Sequence, residues 1–284
     1  MSKHILICTD LDRTLLPNGK QPESPGARAA FARLVSRLEV SLAFVSGRHR
    51  QLVEEAISQY QLPIPDWVIG DVGTTIYQLK DNKWLPWPEW EQEISLDWQG
   101  LTAHDLRPFF REFKALTLQE ESKQNRYKLS YYLPLETKVR PLQHAMLLRL
   151  SLANIRASLI YSVDEETSTG LLDVLPERAT KLHAVEFLMR NKDFDISNTV
   201  FAGDSGNDLP VLTSAIQSVL VANAGLDVVE QAQYQSLQEG SESALYLAQG
   251  GFMGMNGNYS AGILEGVAHY HPETRHWMEQ DDEQ

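Results

Sequence analysis

The chain has 284 residues, 43% of them hydrophobic and 22% charged, an ordinary globular composition with length for one large domain or two smaller ones. A formal net charge of −13 without a Lys/Arg run argues against nucleic acid and anionic membranes as partners, and no apolar run reaches the ~18 residues of a membrane span. One cysteine, Cys8, cannot form an intrachain disulfide, which fits core filling in a reducing cytoplasm.

The first third alternates strands and helices. An apolar strand over 4–9 is followed by Asp10 and Asp12 at once, so it reads as no signal peptide. A helix is expected over 24–38, with Ser24 as cap and Pro25 in the first turn. A strand over 40–46 ends in Ser46-Gly47-Arg48, a helix spans 49–60, a third strand lies within 66–73, and 75–79 alternates like one arm of a hairpin. Short apolar strands between amphipathic helices predict a parallel sheet covered on both faces.

The pattern changes at about residue 81. Trp84, Trp87, Trp90 and Trp98 fall in a stretch without a period. A helix over 103–116 is expected despite Pro108, then a strand over 127–133, a helix over 136–152 and a strand over 155–163. Residues 81–170 therefore read as a smaller inserted α+β unit. The α/β rhythm returns at 171–176, followed by a helix over 179–191, a strand over 198–204 ending in Asp204, a helix over 206–215, a strand over 217–223 and a helix over 260–270. The fold class expected is α/β: a Rossmann-like parallel-sheet core from 1–80 and 171–284 with the inserted unit between. The acidic end, 279–284, reads as a tail.

In open parallel sheets ligands bind beyond the carboxyl ends of the strands. Asp10 with Asp12, Ser46 with Arg48, Asp173, and Asp204 with Asp208 all follow apolar strands, and Lys181 opens a helix. Carboxylates gathered at one edge repel one another unless a hard cation joins them, and Mg²⁺ suits a few oxygen ligands with substrate phosphate. The bland alternatives are a capped turn for Asp10 and Asp12, a solvated helix start for Lys181, and a surface residue for Arg48. His269, His271 and His276, interrupted by Pro272, read as a solvated helix end rather than a zinc site. Ser205 in 203-GDSG-206 does not fit the G-x-S-x-G elbow of serine hydrolases.

These motifs, in this order, resemble those of the haloacid dehalogenase (HAD) phosphatase family: 10-DLDRT-14, 46-SGR-48, Lys181 and 203-GDSGND-208. The resemblance implies that Asp10 attacks phosphorus and Asp12 moves the proton, which requires Asp12 to carry one. It implies that Asp10, the backbone carbonyl of Asp12, and Asp204 hold Mg²⁺, with Asp208 orienting a metal-bound water or Lys181. Ser46, Gly47, Lys181 and Asn207 would bind the phosphoryl group, and Thr14 would shape the loop. The insert would be a C2-type cap that selects the leaving group.

The stretches 72-VGTTIY-77, 126-RYKLSYYL-133, 172-LDVLPERATK-181, 203-GDSGNDLPVL-212 and 260-SAGILEGVAHY-270 further resemble the sucrose-phosphate phosphatase branch. The expected activity is Mg²⁺-dependent hydrolysis of a sugar phosphate, with sucrose 6-phosphate first. Gly73, Thr74, Lys128 and Tyr131 are the expected sugar contacts; the alternative for Lys128 and Tyr131 is a half-exposed strand surface. The branch tends to carry Asp where Leu171 stands, and 163–170 and 240–258 are longer than expected. Another disaccharide phosphate, such as mannosylfructose phosphate, is therefore a rival. A phosphotransferase or mutase and a non-catalytic partner of a glycosyl-phosphate synthase are the other readings.

Overall fold

The computed structural model describes residues 4–164 and 167–279; Glu165, Glu166 and the tail beyond Glu279 lie outside the described residues. The strands in chain order are β1 (Ile5–Thr9), β2 (Val40–Val45), β3 (Trp67–Gly70), β4 (Thr75–Lys80), β5 (Lys83–Pro86), β6 (Thr117–Leu118), β7 (Leu129–Leu133), β8 (Ala157–Asp164), β9 (Thr169–Pro176), β10 (Thr199–Gly203), β11 (Gln217–Leu220) and β12 (Leu245–Leu247). The α-helices used below are α1 (Ala27–Val35), α2 (Arg50–Tyr60), α3 (Pro88–Ser95), α4 (Ala103–Leu106), α5 (Val139–Leu152), α6 (Lys181–Asn191), α7 (Leu209–Leu212), α8 (Leu226–Glu239) and α9 (Ser260–Tyr270). The chain divides into two units, Met1–Pro86 with Lys181–Gln284, and Trp87–Thr180.

The first unit is built on an eight-stranded sheet in the order β12-β11-β10-β1-β2-β3-β4-β5. From β12 to β3 neighbours are parallel, and β4 and β5 add an antiparallel edge. The four strands β1, β2, β3 and β10 are buried along their whole length, as a sheet covered on both faces requires. Ile5, Ile7, Leu42, Phe44, Val200 and Ala202 share one core cluster with Phe31 of α1, Val53 of α2 and Ile263 of α9. Their alternates, Leu6, Cys8 and Phe201, point to the opposite face and are equally buried. Full burial of each such side chain contributes about 1.5–3 kcal/mol, so strand order and register follow from the apolar runs. The chain runs outward from β1 to β3 on one side and returns at β10 on the other. The switch between β1 and β10 is where such sheets open a crevice. Ser24 does not cap α1; its hydroxyl accepts the Asn256 N–H instead.

The second unit holds a four-stranded antiparallel sheet, β6-β7-β9-β8. Leu129, Tyr131, Leu133, Leu172 and Val174 are buried, and Tyr131 meets Phe110 edge-on at 6.1 Å. Trp90 and Trp98 are fully buried in this unit. Pro108 turns the helix expected over 103–116 into a four-residue α4 followed by a 3₁₀ turn over Arg107–Phe110. Asp97, with no side-chain exposure, receives Arg156 at 2.5 Å and Arg178 at 3.1 Å, tying the beginning of the unit to its end.

The boundaries differ from those expected at 81 and 170. The whole hairpin through Pro86 belongs to the large sheet, because β5 pairs with β4. The run 171–176, expected to restart the core, is most of β9, paired with both β7 and β8. Asp173 is thus not at a core strand end: it lies inside β9 opposite Ser130, whose hydroxyl donates to it at 2.5 Å.

Candidate active site

Asp10 follows β1 and is buried; its N–H is held by the carbonyl of Ala202 in β10 at 2.9 Å. Lys181, the first residue of α6, is buried as well. Its Nζ donates to Asp10 Oδ1 at 2.8 Å, Asp208 Oδ1 at 2.7 Å and Asn207 Oδ1 at 3.1 Å. An ammonium has three protons, and these three acceptors use all of them. Burial works against the charge on Lys181, yet Asp10 and Asp208 outweigh it and hold the ammonium above the usual lysine range.

The loop after β10 is shaped around Asp208. Its Oδ2 accepts the N–H groups of Asp204 and Ser205 and lies 3.1 Å from the Ser205 hydroxyl. With Oδ1 on Lys181, both oxygens are engaged. A side chain at position 203 would place its Cβ 2.6 Å from Asp208 Cγ, so the close approach requires Gly203. Ser205, the rejected esterase nucleophile, spends its hydroxyl inside this loop, toward Asn207 and Asp208.

Asp204 has a different environment. Thr14 donates to its Oδ1 at 3.1 Å and Arg13 Nε lies 3.5 Å from Oδ2. Carboxylate oxygens of Asp10, Asp204 and Asp208 lie within 4.8 Å of one another. Burial, opposed by Lys181 and joined by Asp208 and Asp204, leaves Asp10 raised to about 7. Burial and Asp208 likewise raise Asp204 to about 6. Three buried carboxylates facing one buried ammonium and the half-exposed Arg13 at the rim are short of positive charge, and the donors are hard oxygens. That donor set fits a divalent cation of the Mg²⁺ type, with Asp10 and Asp204 as ligands and Asp208 committed to Lys181 and the loop.

Asp12 is turned elsewhere. Arg48 Nε donates to its Oδ2 at 2.8 Å and Arg48 Nη2 to its Oδ1 at 2.6 Å, and Asn18 Nδ2 adds 2.7 Å to Oδ1. Burial raises Asp12, but the hydrogen bonds and charge of Arg48, with Asn18, outweigh it and hold the carboxyl below the ordinary range. The two carboxylates differ, as their proposed division of labour requires. The sense is the reverse of a protonated Asp12, because Asp12 has a guanidinium largely to itself while Asp10 shares one ammonium.

Ser46 follows β2, is buried, and accepts the Arg48 N–H on its Oγ at 3.2 Å. The loop after β3 braces this turn: Asp71 N–H donates to the Arg48 carbonyl at 3.0 Å and Val72 N–H to that of Ser46 at 3.3 Å. Asp71, Val72 and Gly73 all take positive φ. For a β-branched residue such as Val72 this conformation is costly, by about 1–3 kcal/mol, and persists only because the surrounding contacts impose it. Asp10, Asp12, Arg13, Gly47, Arg48, Asp204, Ser205 and Asn207 line one cleft of about 340 Å³.

The expected sugar contacts fare unevenly. Thr74 is 1% exposed and its hydroxyl donates to the Asp71 carbonyl, so Gly73 and Thr74 hold the loop rather than present free groups. Strand alternation puts Tyr131 on the packed face of its sheet against Phe110, where burial pushes its hydroxyl up to about 12. Its neighbour Tyr132 shares the other face with Ser130, opposite Leu171 and Asp173, and Lys128 has the same parity. Lys128 is nearly buried, its Nζ 3.3 Å from the Lys123 carbonyl.

The bland alternative for Arg48, a surface residue, does not describe it: its guanidinium is committed to Asp12, as is the Asn18 amide. The turn signal 17-PNG-19 marks the Asn18 loop, but nothing in it shows that the carboxamide returns to Asp12. The histidines have separate partners: His269 stacks on Tyr246 at 4.4 Å and His271 is buried beside Gln217.

The model of the family described as sucrose-6F-phosphate phosphohydrolase matches residues 3–271. A HAD-like hydrolase of Nitrosococcus oceani is 57% identical over 98% of this chain and 75% of its own length. The mannosylfructose-phosphate phosphatase of Agrobacterium fabrum is 27% identical over 93% of this chain and 96% of its own. The solved sucrose-phosphatase of Synechocystis, in complex with sucrose and phosphate, has 25% identity and a TM-score of 0.70, covering 94% of this chain and 98% of that one. The chain is a HAD-type phosphatase and belongs to the sucrose-6F-phosphate phosphohydrolase family.

Proposed function

We propose that the protein hydrolyses a disaccharide phosphate, sucrose 6-phosphate first, through an aspartyl-phosphate on Asp10. The observation that carries this reading is the Lys181 ammonium, shared between Asp10 and Asp208 at 2.8 and 2.7 Å in a buried site. A carboxylate oxygen of Asp10 forms the bond to phosphorus, the bond from phosphorus to the sugar oxygen breaks, and Asp12, which must first take up a proton from solvent against its Arg48 pair, gives that proton to the sugar oxygen. Asp12 then takes a proton from water, whose oxygen attacks phosphorus and releases Asp10 and inorganic phosphate. The Ser46–Gly47 turn binds the phosphoryl oxygens, and Lys181, oriented by Asn207 and Asp208, turns the proton it gives Asp10 toward them as Asp10 attacks. Mg²⁺ held by Asp10, Asp204 and the Asp12 carbonyl would supply charge neutralisation at the phosphoryl group.

Selection of the sugar is assigned to the partly exposed face of the second sheet, where Tyr132 and Asp173 carry polar groups and Leu171 an apolar one, beside the nearly buried Lys128. Mannosylfructose phosphate is the second reading, supported by the Agrobacterium relative of similar length. A glycosyl-phosphate synthase is the partner class that would supply such a substrate, and the cytoplasm is where both would meet. Among the described residues no helix is long and apolar enough to cross a membrane. Phosphate release across a panel of mono- and disaccharide phosphates, with Mg²⁺ and with EDTA, tests the reading. Turnover of a disaccharide phosphate that needs Mg²⁺ supports it; an isomerised sugar phosphate without free phosphate would make the protein a mutase.

A further inference from the structure

We propose that Asn18 is a positioning residue that fixes which oxygen of Asp12 handles the proton; this rests on the acid–base role of Asp12 proposed above. Asp12 Oδ1 accepts two hydrogen bonds, from Asn18 Nδ2 at 2.7 Å and Arg48 Nη2 at 2.6 Å. Among the described residues Oδ2 accepts one, from Arg48 Nε at 2.8 Å. The guanidinium fork alone treats the two oxygens alike, and the Asn18 amide breaks that symmetry. Oδ1 is the anchored oxygen and Oδ2 the working one.

The amide cannot turn over without loss. Asn18 Oδ1 accepts the backbone N–H of Arg13 at 2.8 Å, so its Nδ2 is the end left to face Asp12. Arg13 is itself held in the left-handed conformation, φ 58°, and its carbonyl accepts Asn223 Nδ2 at 2.6 Å. Asn223 is buried and its Oδ1 takes the N–H of Tyr259 at 2.8 Å. Asn18 therefore links a carboxylate that is 42% exposed, and that the Arg48 fork alone would hold equally well with its two oxygens exchanged, to backbone anchored in the core. Neither Asn18 contact touches Asp10, Lys181 or the Ser46–Gly47 turn; the one to Arg13 is to its backbone N–H, while the Arg13 side chain reaches Asp204 independently, so the main effect of losing Asn18 should fall on proton transfer.

The test separates steps by leaving group. Para-nitrophenolate leaves without a proton, so the burst of p-nitrophenol from p-nitrophenyl phosphate reports attack by Asp10, whereas sugar phosphate turnover needs Asp12 in both steps. Asn18→Ala should lower kcat on the sugar phosphate about tenfold with KM little changed, and leave the burst rate intact. Asn18→Asp keeps the acceptor for Arg13 but sets a carboxylate against Asp12, and should lose more. Asn18 is exposed, so the variants should melt with the parent. Equal loss in burst and sugar phosphate turnover, or no loss in either, overturns the assignment of Asn18. Asp12→Asn serves as the reference. If it slows the burst as much as sugar phosphate turnover, the acid–base role of Asp12 has failed; if it is selective while Asn18→Ala is not, only the Asn18 inference has.

Discussion

The edge of the large sheet and the partly exposed face of the small one carry polar groups in opposite ways. In the first unit β1, β2 and β10 are apolar throughout, and polar residues begin where the strands stop, at Asp10, Ser46 and Asp204. In the second unit one face of β7 and β9 is packed and the other only partly covered, with Tyr132, Leu171 and Asp173 half-buried beside the buried Ser130, and polar residues are interleaved with core residues along each strand. A doubly covered sheet excludes charge from its strands, so functional groups interrupt the apolar pattern. A sheet packed on one face hides them inside an alternation whose phase is set by packing.

The largest effect that tests this contrast is at Asp10. Asp10→Asn should lower phosphate release by about 10⁴-fold or more while circular dichroism stays native; normal turnover would remove the nucleophile from this edge. Lys181→Met comes next. It leaves buried carboxylates without their ammonium and should cost about 3–5 kcal/mol in urea unfolding as well as activity. A variant as stable as the parent would mean that the edge tolerates unpaired charge.

The pH dependence follows from the same crowding. Asp10 and Asp204 have carboxyls raised to about 7 and about 6, well above the unfolded value of 3.8. The native state then binds more protons than the unfolded one between about pH 4 and 7, so this contribution to stability is present at low pH and lost as pH rises through that window. Without added metal, the melting temperature should fall as pH rises from about 5 to 8, and Mg²⁺ should raise it more at the upper end because protons no longer compete. A Mg²⁺ increment independent of pH would separate the cation from these carboxylates.

The smallest effect on activity is expected in the second unit, where a pair of variants tests the phase of its alternation. Tyr131→Ala should cost about 3–5 kcal/mol of stability, as removal of a core aromatic does. Tyr132→Phe removes a hydroxyl that donates to Glu120 at 2.7 Å and accepts from Lys123 at 2.7 Å. It should leave stability within about 0.5 kcal/mol and raise KM for a disaccharide phosphate severalfold more than for a monosaccharide phosphate. The reverse pattern, with Tyr131 governing KM and Tyr132 stability, would invert the faces.

Sequence by itself determined the parallel core, the insert, and the candidates Asp10, Asp12, Lys181, Asp204 and Asp208, because charge at the end of an apolar strand is visible as a break. It did not determine that 171–176 serves the second sheet, since a short apolar run reads the same in either unit. Nor could it choose between Tyr131 and Tyr132, which differ by one residue and hence by one face. Only the tertiary structure assigned Arg48 and Asn18 to Asp12, for a physical reason: both are ordinary polar residues of loops, and their meaning is the distance to a carboxylate that folding brings within 3 Å.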